Sequence, residues 1–93
     1  MSQKIIDNWI SLAKYDLETA EAMLKAERYI YVAFMCQQSI EKILKACYVK
    51  QHKSTPPYTH NLLRLINDLD FDEEINSEIS ETIETLNSYY IES

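Results

Sequence analysis

The 93-residue chain predicts an all-α fold, an up-and-down antiparallel helical bundle of about four helices. Three observations predict it. The sequence holds no glycine, the residue that tight β-hairpin turns usually require. Its apolar residues recur at intervals of three and four rather than alternating. Its two prolines stand together as Pro56-Pro57, so the chain is broken once and elsewhere left open to long helices. At this length, residues 1–93 make a single domain, with too little chain for a second core.

The first helix is expected from about Asp7 to Glu27, with Asp7 as its cap and Trp9, Leu12, Ala13, Leu17, Ala20 and Leu24 as its apolar stripe. The second is expected from about Tyr31 to Lys53. Its last turn carries Lys50, His52 and Lys53, cations that suit the negative end of a helix dipole. Ser54-Thr55-Pro56-Pro57-Tyr58 then interrupts the pattern, because proline lacks an amide donor and restricts the residue before it. A short third helix is expected from Thr59 or His60 to about Leu69, with Leu62, Leu63, Leu65, Ile66 and Leu69 apolar. A fourth, from about Glu73 to Ile91, carries Ile75, Ile79, Ile83, Leu86 and Tyr90. Ser80, Thr82, Thr85 and Asn87 are middling helix formers, so this last helix depends on packing more than on propensity.

Charge is divided unevenly along the chain. The net formal charge is −6, yet every Lys and Arg lies at or before Arg64, and Asp68 to Glu92 carries acids only. An acidic last third repels a nucleic-acid backbone, so RNA contact, if any, falls to the earlier helices. The simpler reading of those acids is a solvated face. No run of about 18 apolar residues is present, and the first residues lack the apolar core of a signal peptide, which points to a cytoplasmic protein. Cys36 and Cys47 fall in one expected helix, roughly 16 Å apart along its axis, too far for a disulfide. They read as small apolar residues, and without a further ligand pair they make no zinc site.

The residues that could carry chemistry lie on or beside the second helix. Gln37, Glu41 and Lys45 follow one another one turn apart, at the margin of the apolar face. Glu41 before Lys45 is the favourable order for an ion pair. Asp16 borders the apolar stripe of the first helix, where a carboxylate needs a cation or donors. Gln37, Gln38, Lys42 and Lys45 are its candidate partners, and a polar contact between packed helices is the simpler account of it. His60 stands near the start of the third helix, as a structural hydrogen-bonding group or as an acid, base or ligand near neutral pH. His52 reads as a helix-end cation. No nucleophile–histidine arrangement, His-Glu-x-x-His motif or glycine-rich phosphate loop is present, so the residues by themselves indicate no enzyme. The chain is rich in tyrosine, and Tyr89-Tyr90-Ile91 near its end suggests apolar surface that a second subunit would cover.

Together these residues resemble the HEPN domain, the helical "higher eukaryotes and prokaryotes nucleotide-binding" family. The resemblance runs through Trp9, Ala13, Asp16-Leu17, Ala20 and Met23-Leu24. It continues through Ala33-Phe34, Gln37-Gln38-Ser39-Ile40-Glu41-Lys42-Ile43-Leu44-Lys45-Ala46 and Thr59-His60-Asn61-Leu62 to Leu65, and so covers most of the chain. It implies a bundle that forms homodimers. Small prokaryotic members of the family pair with a minimal nucleotidyltransferase in toxin–antitoxin-like modules. Many relatives are ribonucleases that use an Arg followed four to six residues later by a His. Here neither Arg28 nor Arg64 has a histidine at that distance, and His60 has no arginine at that distance before it. The expectation is therefore a non-catalytic dimeric module lacking the family's last helix, with ATP or another nucleotide, a nucleotidyltransferase, or both as ligand. In that module Lys45 would meet phosphate or a carboxylate, Gln37 a base or amide, and Asp16 would orient them, with Glu41 and His60 completing the polar set. The alternative is a ribonuclease toxin whose Arg and His lie outside these residues. No metal and no other cofactor is expected.

Overall fold

A computed structural model of the chain describes residues 2–71, together with 77, 78, 81 and 84. The described residues are helical or irregular, with no strand among them. Helix α1 spans Ser2–Lys25, α2 spans Tyr29–His52 and α3 spans Leu62–Asn67. Ser77, Glu78, Glu81 and Glu84 are helical and exposed. The expected apolar residues of the fourth helix (Ile75, Ile79, Ile83, Leu86 and Tyr90) and the Tyr89-Tyr90-Ile91 segment lie outside the described residues.

α1 starts five residues before the expected cap. Asp7 is a helix-interior residue, and its Oδ1 accepts a hydrogen bond from Gln3 Nε2 at 2.8 Å. Gln3 and Lys4, good helix formers, extend the helix ahead of it. At the other end α1 stops two residues early. Glu27 takes a left-handed conformation, φ 59°. Its N–H donates to the Leu24 carbonyl at 3.1 Å, and the Arg28 N–H donates to that of Met23 at 2.8 Å. This pair of bonds is the Schellman arrangement, which ordinarily places glycine where Glu27 stands. α2 begins at once, with Tyr31 and Val32 N–H both donating to Arg28 O.

The tight turn sends α2 back along α1. Ala13 and Ala20 are almost fully buried on the facing side of α1, and their small side chains let the two backbones approach. The Ser39 hydroxyl uses that proximity, donating to the Ala13 carbonyl at 2.8 Å. The buried edge of α1 is narrower than the expected stripe: Leu12, Leu17 and Leu24 are exposed, and Asp16 is buried in their place. Residues at Ala13, Asp16 and Ala20 spacing point into the seam with α2.

α2 ends at His52, where Lys53 turns left-handed, φ 54°, and its N–H donates to Val49 O at 2.9 Å. The non-helical segment that follows leads to α3, whose start is later than expected. The Asn61 side-chain oxygen accepts from the Leu63 and Arg64 amides at 3.1 and 3.3 Å, so Asn61 is the cap. Thr59 Oγ1 in turn accepts from Asn61 N at 3.0 Å, which keeps residues 59 and 60 outside the helix. A six-residue helix is unstable by itself. Leu62, Leu65 and Ile66, with Leu69 beyond the helix end, hold it by burial against Leu44, with Ile40, Cys47 and Tyr48 packed around.

Side chains near the end of α2 fix the return of the chain. Gln51 Nε2 donates to Asp70 O at 3.1 Å and Gln51 Oε1 accepts from Asp70 N at 2.9 Å. The His52 ring nitrogen Nε2 lies 2.6 Å from Asp68 O, and its ring lies 4.3 Å from that of Tyr48. Both cysteines are free and half-buried. Burial pushes the Cys47 thiol up from its ordinary value, partly countered by the charge of Lys50.

Leu65 is fully buried at the centre of the small core. Leu65→Ala should therefore lower stability by about 2–5 kcal/mol in urea denaturation. Glu27→Gly should act the other way, by about 0.5–1 kcal/mol, since relief of the left-handed strain is partly offset by a freer unfolded chain. For Cys47 the raised thiol predicts slower alkylation at pH 8 in the folded chain than in the urea-unfolded chain.

Candidate functional site

The polar residues of α2 sort into two groups according to the face of the helix they occupy. Lys42 lies toward α1, and its ammonium pairs with the buried Asp16 carboxylate, Oδ2. This is the interhelical contact that a carboxylate on the apolar edge of α1 requires. It also engages Asp16 with Lys42 rather than with Gln37 or Lys45.

The second group centres on Glu41, whose carboxylate is only 3% exposed. Glu41 Oε2 accepts from Lys45 Nζ at 3.1 Å, and Glu41 Oε1 lies 2.8 Å from His60 Nδ1. Because a carboxylate accepts, His60 donates through Nδ1–H, which leaves Nε2 free for a further hydrogen bond. The His60 side chain is 71% exposed, so the buried acid holds a ring whose outer edge meets solvent. Lys45 is itself buried, and its Nζ lies 5.3 Å from the centroid of the Trp9 ring on α1, within cation–π range. Three parts of the chain therefore meet at one acid: α1 through Trp9, α2 through Lys45 and the loop before α3 through His60.

Gln37 lies one turn before Glu41 on α2. Its Oε1 is buried and accepts no hydrogen bond among the described residues. A buried carbonyl of this kind costs about 1–3 kcal/mol when left unpaired, so this oxygen has unspent capacity. The structure thus brings Glu41, Lys45 and His60 together, leaves the Gln37 oxygen unpaired and sets Asp16 apart with Lys42. Among the described residues no group of three or more His, Cys, Asp or Glu could hold a metal ion.

Several contacts were hidden in the sequence. Trp9 reads as a core residue, and nothing in its spacing marks it as the seat of a buried ammonium. Ser39 looks like an ordinary helix residue, yet it is the donor that crosses to α1. The Glu41–Lys45 spacing was a usable signal, but spacing cannot say whether a pair is buried or solvated.

The family model for the HEPN domain matches residues 6–93. No curated protein and no solved structure matches the chain. Among the described residues, no helix is long and apolar enough to cross a membrane.

Burial sets the energetic stakes at Glu41. On a helix surface the Glu41–Lys45 pair would contribute about 0.2–0.5 kcal/mol. With both side chains almost fully covered, Glu41→Ala should instead cost about 3–5 kcal/mol, because it strands the Lys45 ammonium. Adding Lys45→Met to a Glu41→Leu variant should recover much of that loss, and a double-mutant cycle in urea measures the coupling.

Proposed function

The chain belongs to the HEPN domain family, and from that membership we propose that it is a non-catalytic, dimeric binding module. Its ligand is ATP or a related nucleotide, and its protein partner is a minimal nucleotidyltransferase in a toxin–antitoxin-like module of a prokaryotic cytoplasm. The observation that carries the reading is the His60 ring, held from behind by a buried Glu41 and exposed in front. A ring fixed in this way presents a hydrogen-bonding edge without further loss of side-chain freedom, which is what a preorganised binding group requires.

The geometry redistributes the roles within the polar set. Lys45 is occupied by Glu41 and Trp9, so it serves to hold Glu41 in place rather than to meet phosphate. His60 and the unpaired Gln37 oxygen are the contacting groups, the former toward a polar edge and the latter toward an amino group. Asp16 belongs to the scaffold through Lys42.

The same reading includes a fourth helix over about Glu73 to Ile91, completing an up-and-down antiparallel bundle. The helical state of Ser77, Glu78, Glu81 and Glu84 supports it. Dimer formation is supported by apolar side chains left in solvent: Leu17 and Leu24 on α1, and Tyr29, Ile30 and Tyr31 where α2 begins. Apolar residues gathered near one turn are more than the scattered exposure usual on a monomer surface.

Titration calorimetry with ATP, ADP and AMP should give saturable binding. His60→Ala and Gln37→Ala should each weaken it by about tenfold, or 1.4 kcal/mol, while Asp16→Asn should leave it unchanged. No heat with any of the three nucleotides would remove the nucleotide from the proposal. Light scattering at micromolar concentration should return twice the chain mass of 11.0 kDa. A stable monomer would remove the dimer.

A further inference from the structure

A concave site lies at the end of the α1–α2 pair away from the Glu27 turn. A cleft of about 470 Å³ opens where the start of α1 meets the end of α2, with apolar walls from Ile5, Trp9, Val49 and Pro56. Its polar lining comes from one short stretch. Lys53, Ser54 and Thr55 supply an ammonium and two hydroxyls. None of the three side chains makes a hydrogen bond or ion pair among the described residues. This sets Lys53 apart from Lys42 and Lys45, whose charges are taken by Asp16 and Glu41.

Among the described residues, no carboxylate lines the cleft. A cation there has no counter-charge in the lining, even though the whole chain carries −6. The backbone also favours this arrangement. Lys53 adopts its left-handed conformation directly after α2, which turns Ser54 and Thr55 into the cleft lining instead of extending the helix. An apolar chamber with an aromatic wall and a few convergent donors is the usual make-up of a small-molecule site.

We propose that this cleft binds a small aromatic ring bearing one anionic group, a carboxylate or a phosphate. The ring lies among Trp9, Val49 and Pro56, and the anion meets the Lys53 ammonium and the Ser54 and Thr55 hydroxyls. The volume accommodates a one-ring or two-ring ligand. This site shares Trp9 with the Lys45 contact but uses neither Gln37 nor His60, and it does not depend on their binding a nucleotide.

Trp9 is the only tryptophan in the chain and forms part of the cleft wall, so its emission reports occupancy directly. The test titrates the full chain with benzoate, phenyl phosphate and neutral benzyl alcohol, following Trp9 fluorescence and the amide NMR shifts of Lys53 to Thr55. The anions should give saturable changes in both readouts at concentrations about tenfold below the alcohol. The order of benzoate and phenyl phosphate identifies the preferred anion. Lys53→Gln should bring the anions to the level of the alcohol, and Thr55→Phe, which fills the cleft from an exposed position, should abolish binding of all three. Both residues are exposed, and unchanged helical circular dichroism verifies that the variants fold. The proposal is overturned if neither anion gives a saturable change by about 10 mM, if the alcohol binds as well as the anions, or if Lys53→Gln binds like the unsubstituted chain.

Discussion

The Glu41 carboxylate is the constraint around which the described structure is arranged. A charged acid so far from water is unfavourable unless cations or donors reach both oxygens. Lys45 reaches one from a turn further along the same helix, and His60 reaches the other from the loop that precedes α3. Lys45 needs its own compensation beyond the acid, and the face of Trp9 on α1 supplies it. The path of the chain between α2 and α3 therefore answers to what one buried negative charge requires. The same charge adds the Trp9 contact to a helix seam already joined by Ser39 and by Asp16 with Lys42. The apolar cluster around Leu65 adds cohesion to the α2–α3 contact but does not choose its register.

The absence of glycine shapes the rest. Two reversals of direction need a left-handed residue, and the chain places Glu27 and Lys53 there. Each carries strain of about 1–2 kcal/mol that glycine would avoid. In return, both positions carry a charge at a place where the backbone is fixed. At Glu27 the charge faces solvent and no use for it is evident. At Lys53 it stands at the mouth of a cleft lined by unpaired donors.

Much of this arrangement was legible in the residues before any coordinates. Two long helices, the break at Pro56-Pro57 and a short third helix follow from periodicity and proline chemistry, and all three are present. The ends of the helices were less legible. Asp7 has the composition of a cap but sits within a helix, while Asn61 caps α3 in place of Thr59 or His60. Local side-chain bonding decided those limits, and several residues nearby were chemically able to provide it. The polar stripe was visible as a spacing, and burial then separated its members. Glu41 and Lys45 turned inward, while Asp16 paired across the helix seam with Lys42. Spacing on one helix says nothing of which neighbour stands opposite, and that is why Trp9 escaped notice.

The clamp at the end of α2 has a different implication, for how the sequence can drift. Gln51 and His52 reach across to the main chain at positions 70 and 68, and neither touches the side chain there. Such contacts recognise the course of the backbone and ignore what is attached to it. Substitutions at 68 and 70 should thus be nearly silent for the fold, save proline, which lacks the amide that donates to Leu65 O at 68 and to Gln51 at 70. Variation is free where the chain is held, and the burden of constancy passes to the two residues that do the holding.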